Sequence, residues 1–214
     1  MAGTGFEPVG FVGNRQFTGS MSKYWIASGA TNKICYGQPV VIDTTGTVIA
    51  QVVTPVIGTH RIAGIFLGCS YIDGTGNRTF SLKWPAAQSS VGAYAYVTDA
   101  RDTVFRAKIL NGSGVDATTT IASIGSNCAI DVTNLELGTS GRCGMGVSGI
   151  ATTNSLPLRI LGLTNSNIAV ADSTGVTALT EPNPDFITTT GTTFTHALVT
   201  WTFGIHHLDL PLGI

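Results

Sequence analysis

Short runs of β-forming residues separated by glycine-centred turns are the feature that most restricts the fold of this chain. Turn segments such as Thr44–Gly46, Asp73–Asn77 and Asn111–Gly114 supply the positive φ angles and side-chain hydrogen bonds that tight turns need. The runs between them are rich in Val, Ile, Thr and aromatic residues, and several alternate with a period of two. This rhythm predicts an all-β fold, an antiparallel β-barrel or jelly-roll-like sandwich with little helix.

The clearest predicted strands are Pro39–Asp43, Thr47–Val53, Arg61–Cys69, Gly92–Asp99 and Leu198–Phe203. In the fourth of these, we expect Tyr94 and Tyr96 on one face and the small or branched residues between them on the other. Residues 100–110 contain neither Gly nor Pro, yet their apolar residues fit a strand about as well as a helix: Val104, Phe105, Ala107, Ile109 and Leu110. The best helix candidate is Asp116–Ile124, where Asp116 could cap a short turn.

Residues 31–214 are predicted to form a single β-barrel or sandwich domain, and residues 1–30 an extended N-terminal arm. Aromatic residues and a proline stand among glycines in the arm. We expect these side chains to dock either on the domain itself or on a neighbouring molecule. They form the candidate intermolecular interface: Phe6, Pro8, Phe11, Phe17, Tyr24 and Trp25.

The chain carries few ionic side chains. Charged residues make up 11% of the sequence and the net charge is −1, whereas ordinary soluble domains are roughly one quarter charged. A surface of neutral groups loses little hydration on contact, so we expect much of it to be covered by other protein. The 11 basic residues form no run that could follow a phosphate backbone, which argues against nucleic acid as a partner.

Patterns that would indicate catalysis or a bound cofactor are missing from the sequence. There is no G-x-S-x-G motif, no C-x-x-C motif and no close carboxylate pair. Gly144–Gly149 matches the dinucleotide fingerprint by letter, but no strand precedes it and no helix follows, so we interpret it as a flexible glycine loop. His206 and His207, close to Asp209, would point to opposite faces of a strand and could not share one metal. We expect no enzyme activity, no cofactor, no metal and four reduced, buried cysteines.

Targeting signals are also not evident. The first residues lack a basic segment followed by an apolar one, and no apolar run reaches the roughly 18 residues that span a bilayer. We therefore expect the protein to be made and used in a cytoplasm, without a membrane partner.

A series of short patterns occurs in order along most of the chain. They are Gly5–Val9, Phe17–Gly19, Tyr24–Ser28, Ile34–Val40, Ile62–Tyr71, Lys83–Ala86, Ala95–Asp99, Leu158–Leu163, Ala197–Val199 and Gly204–His206. In this order they resemble tailed-bacteriophage head proteins of about this length, which accompany the major capsid protein as decoration or cement proteins. The resemblance implies a β-barrel or jelly-roll body on the outer capsid surface of a virion made in the bacterial cytoplasm. It also implies two partners, the major capsid protein and further copies of the chain, with a homotrimer favoured over a homodimer.

Two other classes of function stay open. A carbohydrate-binding head-fibre or tail-tip adhesin module would need an exposed aromatic platform, and Trp25, Trp84 and Trp201 are the residues that could stack on sugars. For Trp84, which precedes Pro85, packing in the core or an interface is the favoured role. A glycan or peptidoglycan hydrolase would need a pair of carboxylates, which the sequence does not indicate.

Overall fold

The computed structural model describes residues 5–13, 15–50, 55, 60–136, 139–164, 169–171, 177–179 and 194–203. Within these ranges the chain forms 17 β-strands and a single 3-10 turn, Ile121–Ser123, with no α-helix. The helix candidate Asp116–Ile124 is therefore reduced to that turn, because its threonines favour extended backbone. No helix in the described ranges could cross a membrane.

The first sheet contains seven strands, all paired antiparallel. Across the sheet they are β13 (Gly146–Ala151), β12 (Asn127–Asp131), β14 (Leu158–Thr164), β17 (His196–Trp201), β11 (Thr103–Lys108), β1 (Glu7–Phe11) and β2 (Arg15–Gln16). On the interior strand β11, Phe105 lies opposite Val199 of the central strand β17 on one side and Pro8 on the other. The N-terminal strand β1 is therefore an interior strand of the sheet, one strand from its edge.

The second sheet contains six strands, also antiparallel. Five follow in the order β3 (Ser22–Trp25), β10 (Tyr94–Thr98), β7 (Ile62–Ile72), β5 (Gln38–Ile42) and β6 (Val48–Ala50). The sixth, β8 (Arg78–Ser81), pairs with the C-terminal half of β7. Gly64 allows β7 and β10 to approach closely, since a Cβ there would lie 2.1 Å from the Thr98 carbonyl oxygen. Its φ of +154° also favours glycine.

Two small antiparallel pairs complete the described strands. One joins β4 (Ile34–Cys35) to β9 (Lys83–Trp84), and the other joins β15 (Ala169–Ala171) to β16 (Thr177–Leu179).

The main core lies between the two large sheets, which form a sandwich rather than a closed barrel. Ile62 and Ile65 of the second sheet belong to the same buried cluster as Phe105 of the first. A second cluster lies on the other face of the six-stranded sheet, where Phe66 packs in a group that includes Trp84. The six-stranded sheet is thus the middle layer over part of its area.

The structure confirms the all-β class and most of the predicted strands. Residues 100–110 contain the strand β11, and Tyr94 and Tyr96 are half-buried while Ala95 and Val97 are fully buried, as the alternation predicts. The flexible loop predicted for Gly144–Gly149 is wrong, because the strand β13 begins at Gly146. A Cβ on that glycine would lie 2.3 Å from the Lys108 carbonyl oxygen, so the small residue allows close packing.

Candidate interaction surfaces

The six residues predicted to form an interface lie in different places. Phe6 precedes β1, Pro8 and Phe11 lie in β1, Phe17 follows β2, and Tyr24 and Trp25 lie in β3. β1 belongs to the seven-stranded sheet and β3 to the six-stranded sheet, so these residues are divided between the two sheets.

Phe6 packs on its own domain rather than on a neighbouring molecule, which is one of the two alternatives that the sequence left open. Its side chain is 0% exposed within the core between the sheets, and its backbone N–H donates to the Gly37 carbonyl oxygen at 2.9 Å. It therefore has no surface to offer a partner and leaves the candidate set.

Tyr24 also faces inward, against the second core cluster. Its hydroxyl donates a 2.8 Å hydrogen bond to an Asp99 carboxylate oxygen. Burial, followed by this bond and the negative charge of Asp99, raises the pKa of Tyr24 far above its ordinary value. The phenol is held protonated as part of the fold.

Apolar residues in β1 and next to β1 and β2 form an exposed edge on the first sheet. Val9 and Val12 are 45% and 46% exposed, and the half-buried Phe11 and Phe17 pack against each other with ring centroids 5.9 Å apart. The Arg15 guanidinium lies 5.3 Å from the Phe11 ring centroid and is paired with the Asp102 carboxylate. We call Val9, Phe11, Val12 and Phe17 the hairpin edge; sequence reasoning found the aromatic residues but missed the two valines.

A row of side chains on the second sheet forms a separate exposed surface. Cross-strand pairs place on one face, in this order, Phe80, Ser70, Tyr94 and Trp25. Phe80 is 71% exposed and Trp25 53% exposed, and the Trp25 and Tyr94 rings pack with centroids 4.3 Å apart. Together with Tyr96, two residues along the same face, we call Trp25, Phe80, Tyr94 and Tyr96 the aromatic strip.

The strip continues a face that is buried further along the strands. On β10, Tyr94, Tyr96 and Thr98 alternate onto the same side, and Thr98 is 0% exposed opposite Ile65 of the main core. The aromatic strip is therefore the part of this face that other elements leave uncovered.

Polar groups lie in the middle and at one side of the strip. The Arg78 guanidinium and the Tyr96 hydroxyl both donate to the Ser70 hydroxyl oxygen, at 3.4 Å and 3.2 Å. The Lys23 ammonium lies 6.0 Å from the Tyr96 ring centroid. Two cations and two hydroxyls thus accompany the rings.

A cluster of ion pairs lies at the start of β1. Glu7 accepts hydrogen bonds from Arg106 at 2.6 Å and from Arg142 at 3.5 Å. Burial, and then the positive charges of Arg106 and Lys108, lower the pKa of His196 nearby to about 4. The ion pairs fix β1 against its neighbours, and burial is the main reason that His196 stays neutral at ordinary pH.

The described ranges contain no group of three His, Cys, Asp or Glu side chains placed to hold a metal ion. The His206, His207 and Asp209 candidates lie outside those ranges. The four cysteines are buried and free, as expected: Cys35, Cys69, Cys128 and Cys143. Burial raises the pKa of Cys69, Cys128 and Cys143 to about 12, so these thiols are poor nucleophiles.

No protein-family model, curated protein or solved structure matches this chain. Any function must therefore be argued from its own surfaces.

Proposed function

We propose that this protein is a non-catalytic decoration or cement protein, which binds the outer surface of a tailed-phage head and stabilises contacts between major capsid protein subunits. The observation that supports this most is the hairpin edge, an exposed apolar surface at the end of a sheet in a chain with 11% charged residues. The free energy is lowered when another protein covers apolar surface of this kind.

The position of the hairpin edge suits a docking role. Its strand β2 is the terminal strand of the seven-stranded sheet and has only two residues, so the outer side of β2 has no neighbouring strand within the described ranges. Phe6 and the β1–β11 pairing hold β1 to the core. Val9 and Phe11 are therefore presented by a strand that is already paired, which lowers the entropic cost of binding.

The edge is small compared with a stable one-to-one interface, which buries about 800 Å² on each partner. A repeated lattice removes this limitation, because many weak contacts of an oligomer add through multivalency. We therefore propose self-association, as a homotrimer rather than a homodimer, together with binding to the major capsid protein. Each bound copy would favour the assembled shell by mass action.

The test uses phage heads that lack the chain, to which purified protein is added back. We expect Val9→Ser/Val12→Ser to lower the number of bound copies and the temperature at which heads release DNA. Val115→Ser is the matched control, since Val115 is 59% exposed and lies on a loop away from the edge. Equal occupancy for the edge variant and wild type would remove the edge from the proposal, and no binding by wild type would refute the proposed function itself.

A further inference from the structure

We propose that the aromatic strip is a binding site for an acidic, β-1,4-linked polysaccharide. This inference goes beyond shell binding and does not depend on it, because the strip and the hairpin edge lie on different sheets. The two surfaces can therefore be tested by separate variants.

The geometry of the strip fits an extended chain of sugar rings. Phe80 and Tyr94 are two strands apart, on either side of Ser70, which places them about 10 Å apart at ordinary strand spacing. This is close to the length of a disaccharide in an extended β-1,4-linked chain. Sugar rings two residues apart could thus stack their C–H faces on Phe80 at one end and on the Tyr94–Trp25 pair at the other.

The polar groups favour an acidic sugar. Between the two aromatic ends lie the Arg78 guanidinium and the Tyr96 hydroxyl, both bonded to Ser70, which is only 1% exposed. Ser70 therefore holds a planar, charged donor at the position of the sugar between the stacked rings. A guanidinium forms strong, charge-assisted hydrogen bonds with a carboxylate, and Lys23 beside Tyr96 adds positive potential.

Other occupants fit less well. A nucleic acid gains most of its affinity from phosphate contacts, whereas this surface offers two cations in a chain of net charge −1. A protein partner would have to cover the Arg78 guanidinium and the Lys23 ammonium together with the rings, and removing unpaired cations from water costs free energy. A short aromatic row with a central guanidinium is enough for an oligosaccharide.

Intrinsic fluorescence gives a direct readout, because Trp84 and Trp201 are 0% and 6% exposed while Trp25 is 53% exposed. We would titrate the full chain with a β-1,4-linked glucuronate hexamer, with cellohexaose as the neutral control. We expect saturable binding with a shift of Trp25 emission to shorter wavelength, and roughly tenfold weaker binding of cellohexaose.

Variants then assign the site by calorimetry. Phe80→Ala is expected to weaken glucuronate binding roughly tenfold, Arg78→Gln to remove the preference for the acidic hexamer, and Val115→Ala to change neither. Each substitution is at an exposed residue, and unchanged thermal unfolding would confirm that each variant is folded. The proposal is overturned if millimolar glucuronate hexamer does not bind, or if Phe80→Ala binds it like wild type. Tighter binding of oligo(dT), or self-association that Phe80→Ala abolishes, would assign the strip to another partner.

Discussion

Replacing Phe6 with alanine tests whether the N-terminal segment is part of the fold. Phe6 is 0% exposed and belongs to the core between the sheets. Truncating a fully buried phenylalanine removes its burial energy and leaves a cavity, which costs about 3–5 kcal/mol. A domain is stable by about 5–15 kcal/mol, so this loss is a large fraction of the total. For a chain of this size it lowers Tm by about 6–20 °C.

The assay is urea unfolding followed by circular dichroism, with calorimetric Tm as a second measurement. Phe80→Ala is the matched control, because it is the same substitution at a residue that is 71% exposed, and we expect it to change stability by no more than about 0.5 kcal/mol. A loss below about 1 kcal/mol for Phe6→Ala would refute the placement of this segment in the core. A deletion of residues 1–25 would remove Phe6 together with β1, β2 and β3, so it would destabilise the domain as well as remove a docking surface.

Three further results are expected. Gly64→Ala should destabilise the protein by about 1–3 kcal/mol in urea unfolding, because its Cβ would lie 2.1 Å from the Thr98 carbonyl oxygen. Gly74→Ala is the control and should be nearly neutral, since Gly74 has open space around it. Equal losses of stability for the two variants would contradict the close approach of β7 and β10. The four buried cysteines should not react with a thiol reagent in the folded protein and should all react in denaturant; rapid labelling of any one in native buffer would show that its burial is wrong. Burial lowers the pKa of His196 to about 4 in the folded protein, below the value near 6.5 in the unfolded chain. As the pH falls, the unfolded state therefore binds the proton first. The free energy of unfolding should decrease as the pH is lowered from about 6.5 to about 4. His196→Gln should remove that part of the pH dependence, and an unchanged slope would contradict it.

The fold class could be predicted because its signal is local. Glycine turns and alternation along Gly92–Asp99 are set by neighbouring residues, and the strand β10 follows them closely. The prediction of a loop at Gly144–Gly149 was wrong because the structure of this segment depends on a contact that is distant in sequence. The glycine at 146 is needed because Lys108, far away in sequence, brings its carbonyl oxygen against that strand, and no local pattern reports such a contact.

The candidate surfaces show the same limit. Aromatic content predicted both Trp25 and Phe6 as interface residues, but Trp25 is 53% exposed and Phe6 is buried, because composition does not show which face a residue occupies. Phe80 was missed altogether. Its place in the aromatic strip depends on the pairing of β8 with β7 and of β7 with β10, which requires the sheet order.

Binding to the outer surface of a phage head can be seen by electron microscopy, at side-chain resolution, of heads reconstituted with the purified chain. We expect ordered copies on the outer shell surface, grouped at symmetry axes, with Val9 and Val12 buried against the major capsid protein or a neighbouring copy. Bare heads, with the chain left in solution as a monomer, would contradict it.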